Sequence, residues 1–503
     1  MVGKKIYNLF ENFEYKGFWW LPEKPDKKVP GTLTYRSGDR MTLELLGSLQ
    51  AGSLREIRND DDPDIILGIA DGNRVCTLNG VTHTSSRSIG ATDIYRSKYI
   101  INRLFEGKHF NSVADIKFSS ISINFTSLEE WITHLPYDED IEANDETQTI
   151  KTTASYVYPH AVFEATVPSL HCAINASLEF NDRIGLRVLK WKSTGYIHVV
   201  PEAFSSFDWF WDVISDTQNL LTLFMNTPTY PKRIKAFGEE VETSRGRKSR
   251  ETIHIYFVHS AKEIDKKVHP ADMLVILPTV EQQMSSILEA WFSKADQLRP
   301  VYSLFFGSMY FRNMYDRFHF LNLIQGVESF HRNLRAGKYI GTSGFRKISK
   351  ILREAIPEDV TGDFRQSLES RISFGNEYSL RTRIRLLFQE LDEKTARLIS
   401  QNPEEFIDRI VATRNYFTHY TTGLKRKAFD GDALYYAYQK LRILLIILLL
   451  KEVGLDESVI RRAVCQNNEL TYSLAEGHNV KNFLMTNCKD ELPFLPQVDS
   501  QSK

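Results

Sequence analysis

Apolar residues alternate through the first half of the chain and recur at helical spacing through the second. At 116–125, IKFSSISINF sets Ile116, Phe118, Ile121, Ile123 and Phe125 in a near two-residue period with one slip, which predicts a strand carrying a bulge. Residues 64–79 read as strand, Asp71-Gly72 turn, strand. ASLEF and IGLRVLKW flank Asn181-Asp182 in the same manner, and TIHIYFV at 252–258 is a further β-like run. SFDWFWDVISDTQNLLTLFM at 206–225 breaks the alternation and predicts one helix packed across a sheet. Two acidic clusters interrupt the strands, Asp60-Asp61-Asp62 and DEDIEANDE at 138–146. Neither has the spacing of a calcium loop, so both predict solvated loops.

From about residue 279 the period becomes helical. Val280, Met284, Ile287, Leu288, Trp291 and Phe292 trace one face of a helix that ends before Pro300. Further helices are predicted near 311–335, 344–356, 378–399, 403–420 and 432–453, with a short one near 456–466. The fold class is therefore α+β and multidomain: a β-rich N-terminal domain over 1–275, a connecting helix over 276–300, an all-α bundle over 301–470 and an extended tail over 471–503. The most apolar run, ILLIILLL at 443–450, is eight residues, short of the roughly 20 that span a bilayer. It predicts a buried helix. The first residues, MVGKKIYNLFENFEYKGFWW, lack the apolar core of a signal peptide. A cytoplasmic protein with no membrane contact is expected.

Charge looks uninformative at first: 63 Lys and Arg against 64 Asp and Glu among 503 residues, a net −1. The split is uneven. Residues 301–470 hold 26 basic and 20 acidic side chains, a local +6, leaving −7 elsewhere. Within that bundle, 331–353 (HRNLRAGKYIGTSGFRKISKILR) carries seven Lys and Arg and no acid, and Arg381, Arg383 and Arg385 follow in RTRIR. Phosphate neutralisation wants such stretches. Arg346, Lys347, Lys350 and Arg353 are the candidate RNA contacts, although a solvated helix face explains the composition equally well. Cys76, Cys172, Cys465 and Cys488 lie far apart without C-x-x-C spacing, so neither a zinc site nor a disulfide framework is expected. No cofactor is expected.

The sharpest feature is RNYFTHY at 414–420. On a helix Asn415 and His419 share a face, so the amide could orient the imidazole. Arg414 and His419 lie about 140° apart around the axis, so a long side chain, a helix end or a partner subunit must bring them onto one phosphate. Transesterification of RNA suits such a pair: histidine moves a proton near neutral pH, and arginine stabilises charge growing on phosphorus. With the ribose 2′-hydroxyl as nucleophile, no metal is required. In a chain with 13 His about one such spacing arises by chance, and Arg312-Asn313 with His319 offers a second pair. Geometry alone does not choose between them.

The C-terminal half resembles the ApeA-like HEPN domain, in which Arg, a polar residue and, four to six residues on, His recur. Arg414, Asn415 and His419 match these positions, and FLNLIQGVESFHRNLR at 320–335 resembles that group's early helix. The N-terminal half, opening on GFWW and GTLTY, is similar to the β-rich domain paired with it. The resemblance implies an all-α HEPN bundle and a metal-independent endoribonuclease acting in antiphage defence by abortive infection. It further implies a homodimer or higher homo-oligomer through the HEPN domain, with Arg414 stabilising the transition state, His419 as acid/base group and Asn415 orienting it. Tyr420 completes an Arg…His-Tyr form or simply packs. The RNA substrate stays open among tRNA, mRNA and rRNA, and a phage-derived trigger would act at the N-terminal domain. The alternative is a non-catalytic HEPN scaffold that binds RNA or protein.

Overall fold

Alternation in the first half does produce strands, and they close on themselves. The computed structural model describes residues 5–49, 62–88, 95–134, 137–144, 147–156, 160–185, 188–242, 248–259, 261 and 267–491. The chain divides into two compact units, Met1–Phe292 and Ser293–Lys503.

In the first unit, β1 (Phe13–Trp20), β2 (Val29–Tyr35), β3 (Met41–Leu46), β4 (Ile65–Ala70), β5 (Arg74–Ser88) and β6 (Tyr95–Glu106) pair antiparallel in the order β6-β3-β2-β1-β4-β5. A further β5–β6 pairing closes them into a six-stranded barrel. Trp19 stands directly opposite Gly68 and is fully buried. A Cβ at Gly68 would lie 2.3 Å from the indole, so the ring occupies the space a side chain would need. Arg74 and Glu106 form a buried ion pair, and the Tyr15 hydroxyl donates to Glu106 at 2.9 Å. Burial, with Tyr256 and Glu106 nearby, pushes the Tyr15 hydroxyl well above its ordinary pKa, so it stays a donor.

The remaining strands are β7 (Lys117–Phe118), β8 (Ser120–Phe125), β9 (Tyr137–Asn144), β10 (Thr149–Tyr156), β11 (His160–Val167), β12 (Cys172–Gly185), β13 (Val188–Pro201), β14 (Ser205–Ser206), β15 (Pro231–Glu242) and β16 (Lys248–Phe257). From β6 an antiparallel sheet runs outward in the order β16-β15-β8-β13-β12-β11. Its junction is β6 itself: β3 takes Arg96 to Ile101 and β16 takes Arg103 to Glu106. The helix α1 (Leu128–Ile132) sits against β13, and α2 (Phe207–Met225), capped by Ser206, against β8. Then come α3 (Leu277–Val280) and α4 (Met284–Ser293), with the Trp291 indole donating to the Asp216 carbonyl of α2.

Several expectations need correction. Asn181-Asp182 is not a turn: both residues lie within β12, opposite Lys192 and Trp191, and the hairpin closes between Gly185 and Val188. Turn-prone residues are tolerated here because the long register of the two strands sets the reversal elsewhere. Residues 138–144 of the acidic cluster form β9, paired with β10 rather than looped, although solvated as expected. Residues 145–146, and Asp60-Asp61, lie outside the described residues. Asp62 accepts the His83 amide at 2.8 Å.

The second unit is helical: α5 (Ala295–Tyr310), α6 (Asp316–Leu334), α7 (Thr342–Glu354), α8 (Gly362–Phe374), α9 (Leu380–Gln389), α10 (Glu393–Ile399), α11 (Pro403–His419), α12 (Gly431–Glu452), α13 (Glu457–Gln466), α14 (Asn468–Leu474) and α15 (Val480–Asn487). No single connecting helix spans 276–300, and α5 runs through Pro300. The proline forfeits one backbone hydrogen bond, while Leu298, Val301, Tyr302 and Phe305 bury the surrounding turns. The helix predicted over 378–399 is two, because Asp392 starts α10 by accepting the Thr395 amide at 2.7 Å. α8 buries no residue and its apolar positions follow no helical period, so it was not predicted. By length and composition α12 could cross a bilayer, yet 78% of its apolar window is buried in the protein.

The tail assignment over 471–503 is also wrong as far as the structure describes it. Residues 468–487 form α14 and α15, and a disulfide joins Cys465 to Cys488, Cα atoms 5.8 Å apart. Spacing alone could not reveal this pairing, because the helices that bring the two cysteines together were read as extended chain. Residues 492–503 lie outside the described set.

Candidate functional site

α11 carries the RNYFTHY motif. Asn402 caps it, accepting the Glu405 amide at 3.3 Å, Pro403 opens it, and Glu404 and Glu405 complement its N-terminal dipole. Phe406, Ile407, Ile410 and Thr413 fall on one side and are buried. That places Arg414 and Asn415 half-exposed at the edge, and His419 exposed as the last helical residue. The helix stops at Tyr420, whose φ of +51° is left-handed and whose amide donates to the Tyr416 carbonyl. Glycine or asparagine usually takes this position; here the Tyr420 ring packs on Tyr416, 5.7 Å centroid to centroid.

The three motif residues are only partly brought together. Arg414 donates to the Asn415 amide oxygen at 3.2 Å, so Asn415 engages the arginine and not, as expected, the histidine. No hydrogen bond or ion pair to the His419 ring is present among the described residues. Arg414 and His419 remain about 140° and ~7.5 Å apart along the axis. The second pair resolves differently. His319 is 6% exposed, its Nε2 3.3 Å from the Arg312 carbonyl and its ring stacked on Tyr438. It lines a cavity of about 220 Å³ with Arg312, Arg442 and Glu469.

The charge surplus is distributed unlike the sequence count. In RTRIR, Arg381 pairs with Asp408, Arg385 with Glu404, and Arg383 is buried. Both half-exposed arginines of that run therefore already face a carboxylate. On α7, Lys350 meets Glu354 at 3.7 Å and Arg353 donates to Ser373, whereas Arg346 and Lys347 are exposed without an ion-pair partner among the described residues. α7 and α8 bury none of their residues. A third basic run, Lys425-Arg426-Lys427, follows the motif directly and is also exposed and unpaired among the described residues. Its signal in the sequence is KRK soon after HY, with no acid before Asp430.

Buried Arg383 donates to His331 Nδ1 at 3.2 Å. Arginine only donates, so His331 is held neutral; burial, then Arg383, lowers its pKa. The folded state therefore resists a proton that the unfolded chain accepts near pH 6.5. Stability from this pair is present above that pH and is lost as pH falls below it. His331→Gln, which keeps an acceptor, is expected to flatten the decline in Tm between pH 7 and 5; an unchanged decline would place the acid sensitivity elsewhere. Among the described residues, no group of three or more His, Cys, Asp or Glu is disposed to hold a metal ion.

Comparison with known families agrees with both halves. Residues 14–291 match the ApeA N-terminal domain 1 and residues 321–459 match the Apea-like HEPN domain. No curated protein and no solved structure matches the chain. The first match alone covers more than half of the residues, and the second contains the whole of α11 with Arg414, Asn415 and His419. The barrel-and-sheet unit carries the first match and the helical unit the second, and the chain belongs to the ApeA-like HEPN proteins.

Proposed function

We propose that this protein is a metal-independent endoribonuclease of antiphage defence, acting in the cytoplasm by abortive infection, with its site on the last turns of α11. The family points to nuclease-type function in antiphage defence. The observation that carries the reading is His419, an exposed imidazole with no partner among the described residues, one turn from a half-exposed arginine. His419 takes the proton from the ribose 2′-hydroxyl; O2′ attacks phosphorus; Arg414 holds the charge that builds on the non-bridging oxygens. The P–O5′ bond breaks and the leaving oxygen takes a proton from a protonated His419 imidazole, giving a 2′,3′-cyclic phosphate and a 5′-hydroxyl. Asn415 orients Arg414.

One chain separates the two groups around its helix, so the reading places a second copy across the site and makes the active form a homodimer or higher homo-oligomer. Arg346 and Lys347, with Lys350 and Arg353, offer a further surface for RNA phosphates, and the N-terminal domain is where a phage-derived trigger would act. Purified protein incubated with RNA in EDTA is expected to release fragments ending in 2′,3′-cyclic phosphate and to leave 2′-O-methyl RNA intact. Binding of RNA without cleavage would instead support a non-catalytic scaffold.

A further inference from the structure

We propose that the connector from α11 to α12, together with the exposed aromatic start of α6, forms a track that selects single-stranded RNA and delivers it to His419. The cleavage at the end of the track rests on the reading above; the binding does not. About half of the described cations of the second unit have an ion-pair partner, among them Lys294 with Glu452, Arg335 with Glu390, Arg332 with Glu377, Lys451 with Glu457 and Arg461 with Glu491. Lys425, Arg426 and Lys427 have none among the described residues, and all three are exposed. Their connector is pinned at both ends. The Tyr420 amide donates to the Tyr416 carbonyl at 2.6 Å, and the Phe429 amide donates to Thr413 Oγ1 at 2.8 Å. The Arg409 guanidinium covers the Phe429 ring at 4.0 Å. Two residues of extended chain reach at most about 7 Å, so Lys427 is held near the turn that carries Arg414. Free positive charge is thus fixed beside the motif.

The aromatic half of the track comes from the other helix. Phe320 of α6 packs on Phe417 of α11 at 6.1 Å, which sets the start of α6 beside the last turn of α11. Tyr315 is 75% exposed and Phe318 44%, with ring centroids 6.2 Å apart and the Arg317 guanidinium 4.8 Å from the Phe318 ring. Tyr420, 60% exposed, follows His419. Large apolar rings beside unpaired cations are costly to leave in water, and they are what a single strand uses. Its phosphates meet the lysines and its unstacked bases lie on the rings. A duplex keeps its base faces covered and gains only the charge.

The test uses the full chain carrying His419→Ala, so that RNA is bound but not cut, and compares a labelled unpaired oligoribonucleotide with a duplex of the same composition. K425A/R426A/K427A is expected to weaken single-strand binding roughly 10- to 100-fold at moderate salt and to lower the slope of log Kd against log salt by about 2. Tyr315→Ala with Phe318→Ala is expected to weaken the single strand about tenfold and spare the duplex. A charge-matched control, R462A/K481A/K489A, removes three exposed cations elsewhere and should change neither. Glutamine in place of alanine, with unchanged circular dichroism and Tm, guards against misfolding. An unchanged Kd and salt slope in the connector variants would overturn the track, and equal losses for duplex and single strand in the aromatic variant would overturn its selectivity. If the wild type binds through this track and never cleaves, the nuclease reading falls and the track stands. If it cleaves and the connector variants cut and bind as before, the reverse holds.

Discussion

Alanine at His419 is expected to lower RNA cleavage by roughly 10³- to 10⁴-fold while leaving the fold unchanged, since general acid–base groups contribute about that much. His419 is the last residue of α11, exposed, and makes no interaction among the described residues that a fold would miss. Its removal should not move Tm. Arg414→Ala should cost about 10²- to 10³-fold, the scale of one charge-stabilising donor, and Arg414→Lys should recover little, because lysine lacks the fork. The composite site makes a sharper demand. Mixing the two inactive proteins, His419→Ala and Arg414→Ala, should restore part of the activity, since a hetero-oligomer pairs an intact arginine with an intact histidine. If mixing restores nothing while each variant still oligomerises, both groups act from one chain and the second copy is not part of the site.

A second large effect is expected far from the motif. Arg461, 7% exposed, donates to Glu491 Oε1 at 2.7 Å, to Asp392 Oδ2 at 2.5 Å and to Thr395 Oγ1 at 3.1 Å. Glu491 is itself buried. Arg461→Ala strands that carboxylate, which costs about 3–5 kcal/mol and should lower the Tm of the helical unit by about 10 °C. The exposed pair Lys394–Asp490, one residue away in sequence, is the contrast: its loss should leave Tm in place. Replacing both partners, Arg461→Met with Glu491→Leu, should recover most of the stability, because the penalty comes from the unpaired charge. A double variant no better than Arg461→Ala would mean that the arginine acts through its shape or through Asp392 alone.

What the sequence could show was burial, because burial is what sets a period. The face from Val280 to Phe292 was legible for that reason. So was α11, whose cap, proline and apolar spacing all agree. Alternation over 116–125 correctly showed extended chain, but the expected single bulged strand is two, β7 and β8, and β8 is buried at all six positions, polar ones included. α8 was invisible because its apolar residues follow no helical period, whereas α7, equally unburied, keeps one. Asn181-Asp182 misled because turn chemistry is local, whereas the β12–β13 register is set along the whole hairpin. The charge count failed for a related reason: Arg381 and Arg385 look free in the chain and meet Asp408 and Glu404 only after folding. The motif residues themselves were found through family likeness, and what the fold added was their company. Asn415 holds Arg414, and three cations with no ion-pair partner among the described residues stand in the next loop.

β6 belongs at once to the barrel and to the open sheet, with β3 and β16 sharing one of its edges and β5 occupying the other. The two partners meet successive stretches of the same strand, Arg96 to Ile101 and Arg103 to Glu106. A displacement of β6 would therefore reach the barrel through β3 and β5 and the outer sheet through β16.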